Sequence, residues 1–384
     1  MNKRISITAL SSISALGNGN DAIWGAYLDN NSYITKNQIG DKKVWTAKLP
    51  ESIVQEIEML QNSDNKYKNL DKTVLYALYV SRQAAKQAGW EKGEVFGINF
   101  GSSRGATELF EKYHAEFLET NKVSTLASPT TTLGNIATWV ANDLQSSGPE
   151  ISHSITCSTA LHALLNGVAW IQAGMVDRFL VGGSEAPLTP FTIAQMQALN
   201  IYSKQKDKYP CKAFDLDKNQ NTMVLGEGAS VVALEIIDEG RKALADVLGI
   251  GYATEVLTHN ISISSDAECF QKSMTMALRN ANLDSVDVIV MHAPGTIKGD
   301  LSELNAIHKV FGDEVPFLTT NKWKLGHTFG ASGLLSLELA VLMLQNQKAI
   351  PIPFFKQNQP KGIQTVMINA VGFGGNAVSI ILSK

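Results

Sequence analysis

The chain repeats one order of segments twice, and this repetition constrains the fold more than any single motif does. In each copy, apolar stretches that end in small residues alternate with long apolar helices. Apolar runs bounded by glycine and alternating with helices indicate mixed α/β structure with buried sheets. The matched segments are residues 4–14 with 247–256, 93–103 with 287–296, 151–174 with 317–345, 177–185 with 365–375, and 229–236 with 376–384.

Two copies predict two similar halves, residues 1–240 and 241–384, packed against each other with a join near residues 237–246. A chain of 384 residues is longer than one ordinary domain, which fits this division. Equivalent strand–helix junctions of the two halves would place Cys157 and His327 at matching positions, able to meet at the pseudo-twofold axis. A chance likeness between two α/β segments is the alternative.

Composition excludes several classes of function. A net charge of −3 gives no reason to expect binding to nucleic acid. No apolar run of the sequence reaches the roughly 18 residues that span a bilayer, and residues 1–17 are interpreted as a first strand rather than a signal peptide. We therefore expect a cytoplasmic protein without a membrane span. The three cysteines, Cys157, Cys211 and Cys269, are too widely spaced to predict a disulfide framework or a metal site.

Three residues stand out as candidates for chemistry. Cys157 lies between a β-like run and a long apolar helix, where the positive end of the helix dipole favours the nucleophilic thiolate. His292 ends an apolar strand before a tight turn, and His327 begins a helix among small residues. The alternatives are an inert core cysteine and two structural histidines. The glycine-rich turn 371–376 lacks the spacing of a nucleotide-binding loop.

Five motifs in order resemble those of one family, the β-ketoacyl-acyl carrier protein synthases, which are the condensing enzymes of fatty acid and polyketide synthesis. The resemblance covers nearly the whole chain and implies an α/β, thiolase-like fold with two duplicated halves in αβαβα layers. The motifs are "ITCSTALHAL" around Cys157, Gly226-Glu227-Gly228, "HAPGTIKGDLSE" from His292, "NKWKLGHTFGASG" from Asn321, and "VGFGGNA" from Val371.

The resemblance implies a role for each matching residue. Cys157 would carry the acyl group, and His292 and His327 would both donate hydrogen bonds to the malonyl thioester oxygen. Lys322 and Glu303 would form an orienting ion pair beside them, with Asp300 at a second acidic position of the motif. The main-chain N–H groups of Cys157 and Phe373 would form the oxyanion hole, with Phe373 as a gate. Substrate contacts are expected at Thr296, Gly372, Gly374, Thr130 and Thr131.

The sequence departs from the family pattern at several places. The usual His-Gly-Thr is His-Ala-Pro at 292–294, and the usual Arg-Asp-Gly is Asn-Gln-Asn at 219–221. The final loop lacks its Thr-Asn pair, and threonines occupy 130–132, where bulky apolar residues are common. These departures leave the acyl substrate open, and with it the choice between fatty acid and polyketide or polyene synthesis.

The resemblance implies decarboxylative Claisen condensation between malonyl-acyl carrier protein and an acyl-cysteine. Two histidines, rather than one histidine and one asparagine, point to chain elongation from carrier-protein substrates. No cofactor is expected beyond the phosphopantetheine of the carrier. The acidic carrier would dock on basic loops that contain Lys66, Lys68, Lys204 and Lys206, although these lysines are also typical of solvated loops. A homodimer or a heterodimer with a related subunit is expected.

Three other functions share parts of this pattern. A thiolase needs a second cysteine near the C-terminus, and the matching loop at 371–376 has none. A non-elongating, chain-length-factor-like subunit usually lacks the nucleophile, which is present here as Cys157. A non-enzymatic acyl-binding scaffold is the third alternative.

Overall fold

The structure is a computed structural model that describes residues 4–133, 135–237, 242–256 and 263–384. The strands in these ranges are β1 (Ile5–Ser14), β2 (Gly17–Asn18), β3 (Thr35–Ile39), β4 (Lys42–Thr46), β5 (Gly97–Gly101), β6 (Glu150–His153), β7 (Arg178–Glu185), β8 (Gly228–Ile236), β9 (Ala245–Thr254), β10 (Val288–Val290), β11 (Phe317–Thr319), β12 (Thr365–Gly372) and β13 (Asn376–Ser383).

The α-helices in the same ranges are α1 (Asn20–Leu28), α2 (Glu51–Asn62), α3 (Lys72–Ala88), α4 (Thr107–Thr120), α5 (Ala127–Thr131), α6 (Asn135–Leu144), α7 (Thr159–Gln172), α8 (Pro190–Ala198), α9 (Glu268–Ala281), α10 (Ile297–Phe311), α11 (Lys322–Leu325) and α12 (Ser332–Asn346). Short 3₁₀ turns cover Asn65–Tyr67, Thr156–Ser158 and Phe329–Ala331.

The order of the strands displays the duplication directly. The main sheet runs β11-β10-β12-β13-β9-β1-β8-β7-β5-β6, so each half contributes five strands in the same relative order, reversed about the centre. The first strands of the two halves meet there, and β1 and β9 pair through only Ser6–Asp246 and Ile7–Ala245. The expected α/β fold of two similar halves is confirmed.

Helices lie on both outer faces of the folded sheet and between its two halves. Helix α7 packs on β5 and β7 and also on β13 of the other half, whereas α12 packs on β10 and β12 and also on β7 and β8. Helices α3 and α6 cover the outer face of the first half, and α9 covers the second with α10 packed on it. These contacts produce the αβαβα layers of a thiolase-like fold.

Helix α12 is buried around its whole circumference because it lies at the centre of these layers. All residues from Ser332 to Leu344 are buried. Within the described ranges, Phe329–Asn346 is long and apolar enough to cross a membrane, although 89% of this stretch is buried inside the protein. The expectation that no apolar run reaches this length was therefore wrong, and the run is the central core helix.

The two central helices begin in the same way. A 3₁₀ turn precedes each one, Thr156–Ser158 before α7 and Phe329–Ala331 before α12. The first residue of each turn has a positive φ, 47° for Thr156 and 43° for Phe329. Such a conformation is uncommon outside glycine, and it re-aims the chain at both junctions. Cys157 and Gly330 therefore hold equivalent positions in the two halves.

A buried lysine of α11 ties the second half to the beginning of the chain. Lys324 is 0% exposed, and its Nζ donates hydrogen bonds to the main-chain oxygens of Ala26 (2.7 Å), Asp29 (2.8 Å) and Asn31 (3.0 Å). It also pairs with Asp29 Oδ1 at 2.8 Å. These acceptors offset the cost of burying the charge. The proposed boundary between residues 240 and 241 lies outside the described residues and stays a prediction.

Candidate active site

A cavity of about 230 Å³ opens between the two halves where the central helices begin. Its lining contains the polar candidate catalytic residues as well as apolar side chains. The lining includes Cys157, His292, His327, Thr296, Gly372 and Phe373, together with Met196, Ile201, Met223, Phe270 and Phe329. The structure thus brings together a thiol and two imidazoles that lie up to 170 positions apart in the sequence.

Cys157 lies in the 3₁₀ turn before α7 and is 6% exposed. The pKa of its thiol is raised to about 12, mainly by burial and in part by the nearby charge of Glu185, while Arg104 and Lys322 act in the opposite direction. Burial therefore opposes the thiolate that the helix N-terminus is expected to favour.

The turn that carries Cys157 contacts the end of β12 closely. A Cβ atom at Gly372 would lie 1.8 Å from Thr156 Oγ1, so only glycine permits this approach. Thr156 Oγ1 also donates to the carbonyl of Phe373 at 3.4 Å. Within the described part of the chain, no hydrogen bond occupies the main-chain N–H of Cys157 or Phe373. Both amides are therefore available to a substrate oxygen.

The two histidine rings face each other across the cavity. Their centroids are 5.2 Å apart and their planes are perpendicular. Burial lowers the pKa of His327 to about 3 and that of His292 well below its usual value, and Lys322 acts in the same direction on both. Each ring is therefore neutral near pH 7, with one donor and one acceptor nitrogen. His327 Nδ1 has no hydrogen-bond partner among the described residues.

Lys322 and Glu303 both lie beside the histidines, but they do not contact each other. Lys322 Nζ donates to Asn321 Oδ1 at 3.0 Å and to Ser336 Oγ at 3.1 Å. Glu303 accepts the main-chain N–H groups of His292 (2.9 Å) and Ala293 (2.8 Å). The predicted ion pair is wrong, since no Lys322–Glu303 salt bridge occurs among the described residues and neutral partners satisfy each group. Glu303 instead fixes the main chain at His292.

These two groups still influence each other through space. Burial lowers the pKa of Lys322 to about 8, and the charge of Glu303 partly opposes this shift. Burial raises the pKa of Glu303 to about 7, although its two amide hydrogen bonds act to lower it.

Asp300 forms an ion pair with Lys218 at 2.7 Å near the N-terminus of α10. It also accepts a hydrogen bond from Gly295 N–H at 3.0 Å. The sequence analysis missed Lys218, which directly precedes the altered segment at 219–221.

Comparison with known proteins agrees with this geometry. The N-terminal domain of the β-ketoacyl synthase family matches residues 2–239, and the C-terminal domain of the same family matches residues 244–356. The chain belongs to the β-ketoacyl synthase family. The resemblance predicted from the five motifs is confirmed.

Relatives of this β-ketoacyl synthase span its full length. The 3-oxoacyl-[acyl-carrier-protein] synthase 2 of Coxiella burnetii is 28% identical over 410 residues, which cover 100% of this chain and 99% of that protein. The ishigamide ketosynthase/chain length factor matches with a TM-score of 0.86 at 20% identity, over 100% of both chains. A type II polyketide ketosynthase in complex with its acyl-carrier protein matches with a TM-score of 0.86 at 21% identity, also over 100% of both chains.

Two of the other expected contact residues of this β-ketoacyl synthase line the cavity. Thr296 caps the N-terminus of α10 by accepting Gly299 N–H at 3.2 Å, and it faces the cavity beside Gly372. Gly374 does not line the cavity; its φ of 103° serves the β12–β13 turn.

Thr130 and Thr131 lie elsewhere, on the short helix α5. Their hydroxyls donate to the main-chain oxygens of Leu126 (2.8 Å) and Ala127 (2.7 Å), and neither residue lines the cavity. The prediction that they contact substrate is therefore not supported within this chain. Their hydroxyls are used to satisfy carbonyls one turn back in the helix, a role that the sequence pattern did not reveal.

None of the four predicted basic contacts lines the cavity. Lys66, Lys68, Lys204 and Lys206 are exposed, and Lys66 lies 3.9 Å from Asp64. Lys298, in the first turn of α10, is an exposed lysine that lines the cavity. Sequence analysis missed Lys298, although it lies inside the first histidine motif.

Proposed function

We propose that this β-ketoacyl synthase is an acyltransferase that condenses malonyl-acyl carrier protein with an acyl chain held as a thioester on Cys157. The observation that carries this proposal is a single cavity shared by a buried thiol and two neutral imidazole rings. A thiol at that position forms a covalent acyl intermediate, and neutral imidazoles stabilise the enolate that follows. Fatty acid or polyketide-type synthesis supplies the acyl chain.

The first step transfers the acyl group from the carrier thioester to Cys157. The sulfur attacks the carbonyl carbon, and the proton of Cys157 passes by way of a base to the departing carrier sulfur, which leaves as a thiol. Both His292 and His327 are neutral because burial lowers their pKa, so either ring has a lone pair that accepts this proton. The apolar side chains of Met196, Ile201 and Met223 line the space beside the sulfur, which suits an acyl chain.

The second step breaks the bond between the malonyl carboxylate and its α-carbon. Carbon dioxide leaves, and the electron pair moves into the thioester as an enolate, whose oxygen accepts hydrogen bonds from His292 and His327. The α-carbon then attacks the acyl-cysteine carbonyl. The amides of Cys157 and Phe373 hold the resulting oxyanion, each contributing about 3 kcal/mol. Collapse releases the sulfur of Cys157 and the extended 3-oxoacyl chain.

An acyl carrier protein is the proposed partner, and its phosphopantetheine carries the substrates, so no other cofactor is proposed. A type II ketosynthase of the same fold has been solved with its carrier protein. The cavity mouth supports this partner with the exposed Lys298 and the 41% exposed Phe373. Lys204 and Lys206 are proposed to steer the acidic carrier rather than to hold it.

A dimer, formed with a second copy or with a related subunit, is the proposed assembly, and the cytoplasm is the proposed location. Helix α4 has no buried residues, and Phe110 and Leu118 on it are 62% and 68% exposed. A helix with large apolar side chains in water favours a covering partner. The ishigamide ketosynthase/chain length factor has the same fold.

That similarity also favours one alternative, a non-elongating accessory subunit of a ketosynthase heterodimer. Such a subunit would act beside an elongating partner and would not carry acyl groups itself. The presence of Cys157 together with both histidines supports the elongating role instead.

The test combines intact mass spectrometry with a two-substrate assay. The purified protein is incubated with acyl-carrier proteins of varied chain length and then with malonyl-carrier protein. We expect an acyl adduct on Cys157 in the first step, followed by carbon dioxide release and a chain two carbons longer. Carbon dioxide release without an adduct would indicate the accessory subunit, and neither signal would indicate a scaffold.

A further inference from the structure

Glu185 is a buried carboxyl group that lies beside the candidate active site. The proposed mechanism gives it no role. It is the last residue of β7 and is 0% exposed. Its Oε1 accepts the main-chain N–H of Gly330 at 3.0 Å and also that of Ser103. Its Oε2 has no partner within hydrogen-bond geometry among the described residues, although the nearby Ser102 hydroxyl acts to lower the pKa of the carboxyl group. A buried carboxylate with one unsatisfied oxygen is costly and calls for an explanation.

The duplication explains where this carboxyl group lies. Gly330 holds the position in the second half that Cys157 holds in the first, and Glu185 ends β7 as Gly372 ends β12. In one junction, a glycine lies beside the turn, and the amide of Cys157 has no hydrogen-bond partner among the described residues. In the other junction, the carboxylate occupies the equivalent amide of Gly330. Glu185 therefore fills the counterpart of the proposed oxyanion site.

The two junctions contact each other, so a charge at one acts on the other. The turn Phe329–Ala331 packs against the turn Thr156–Ser158. Arg104 lies 5.0 Å from the ring centroid of Phe329, and its guanidinium donates to Gln195. Burial raises the pKa of Glu185 to about 7, so this carboxyl group changes its charge near neutral pH.

We propose that Glu185 is a positioning residue that anchors the turn before α12, and that its negative charge restrains ionisation of Cys157 through the contact between the two turns. Protonation of Glu185 removes the restraint without breaking the anchor, because a neutral carboxyl still accepts through Oε1. The inference rests on the proposed role of Cys157 as the nucleophile. The charged and titratable groups that face Cys157 are Glu185, Arg104, Lys322, His292 and His327.

The pH profile of thiol alkylation tests this inference without any carrier protein. Iodoacetamide labelling of Cys157 is followed by peptide mass spectrometry in the wild type and in Glu185→Gln, which keeps an oxygen acceptor and loses the charge. We expect the rate at about pH 9 to rise about tenfold in Glu185→Gln, equal to about one pH unit. The wild-type profile should also bend near the titration of Glu185, and the variant profile should not.

Glu338→Gln is the matched control, since Glu338 is another fully buried carboxyl with a pKa raised to about 7, bonded to Ser12 and outside the cavity. Its profile should coincide with that of the wild type. A Glu185→Gln profile equal to the wild type, or an equal shift in both variants, overturns the inference.

If Glu185→Gln does not fold, the wild-type pH profile of labelling decides alone. A wild-type profile without a bend near the titration of Glu185 overturns the inference. If the labelling profile of Glu185→Gln is shifted but the wild type has no condensing activity, the proposed function is contradicted and the inference about Glu185 is not.

Discussion

The turns Thr156–Ser158 and Phe329–Ala331 have the same backbone and opposite chemistry. Both are 3₁₀ turns with a positive first φ, and both lead into a central helix. The first presents a thiol and an open amide to a cavity, whereas the second has a glycine whose amide is bound by Glu185. Duplication therefore supplies the scaffold of a site twice, and the residue opposite each turn decides whether chemistry is possible there.

The largest expected effect comes from removing the thiol that the first turn has and the second turn lacks. Cys157→Ala should lower acyl loading and chain extension by at least about a thousandfold, because no other group of the cavity forms the thioester. Cys211→Ala, which alters an equally buried thiol outside the cavity, should retain both activities. Intact mass after incubation with acyl-carrier protein measures the loading. Loading of the Cys157→Ala variant at the wild-type rate would contradict the assignment of the nucleophile.

A second prediction compares the two central helices. Glu338 lies in α12 where α7 has Leu165, and burial raises its pKa from 4.5 to about 7. A raised acidic pKa stabilises the fold fully below about pH 4.5 and loses that contribution as the pH rises through 7. In the wild type, Glu338 should therefore lower the unfolding free energy by about 3 kcal/mol between pH 4.5 and 8. The Glu338→Gln variant should lack this part of the decrease. Urea unfolding at both pH values measures this, and parallel curves for the two proteins would contradict it.

A third prediction concerns the space at the second turn. A Cβ atom at Gly330 would lie 2.7 Å from both Glu185 Oε1 and Ser103 N. Gly330→Ala should therefore lower the unfolding free energy by about 1–3 kcal/mol. Gly25→Ala is the control, since a Cβ there meets nothing within 4 Å on α1. Equal unfolding midpoints in urea for the two variants would show that the second turn has more room than its contacts indicate.

The smallest effect concerns the mouth of the cavity on the side of the second half. Lys298→Ala should lower kcat/KM for a carrier-protein substrate a few-fold, because an exposed cation at the mouth mainly accelerates encounter. Lys66→Ala, far from the cavity lining and beside Asp64, should change it less. Rates measured across a range of salt concentrations distinguish the two. Equal losses of kcat/KM in the two variants would contradict this prediction and would indicate that the docking surface extends to Lys66 in the first half.

The pattern of the sequence predicted the fold and the meeting of Cys157, His292 and His327, because element order and apolar runs determine how the halves pack. It did not predict which partner each polar group takes. Glu303 was expected to pair with Lys322 and instead binds two amides, and Thr130 satisfies its own helix. Hydrogen bonds depend on distances of a few tenths of an ångström, which periodicity does not contain. Glu185 was missed for the same reason, since its partners come from two distant loops.

The amine of Lys324 has its hydrogen-bond acceptors within the first 31 residues of the chain. During synthesis on the ribosome, almost 300 further residues are added after that early segment before Lys324 is made. A second half made alone would lack these acceptors and would expose to water the surface that the first 31 residues cover. The two halves are therefore not expected to fold as independent units.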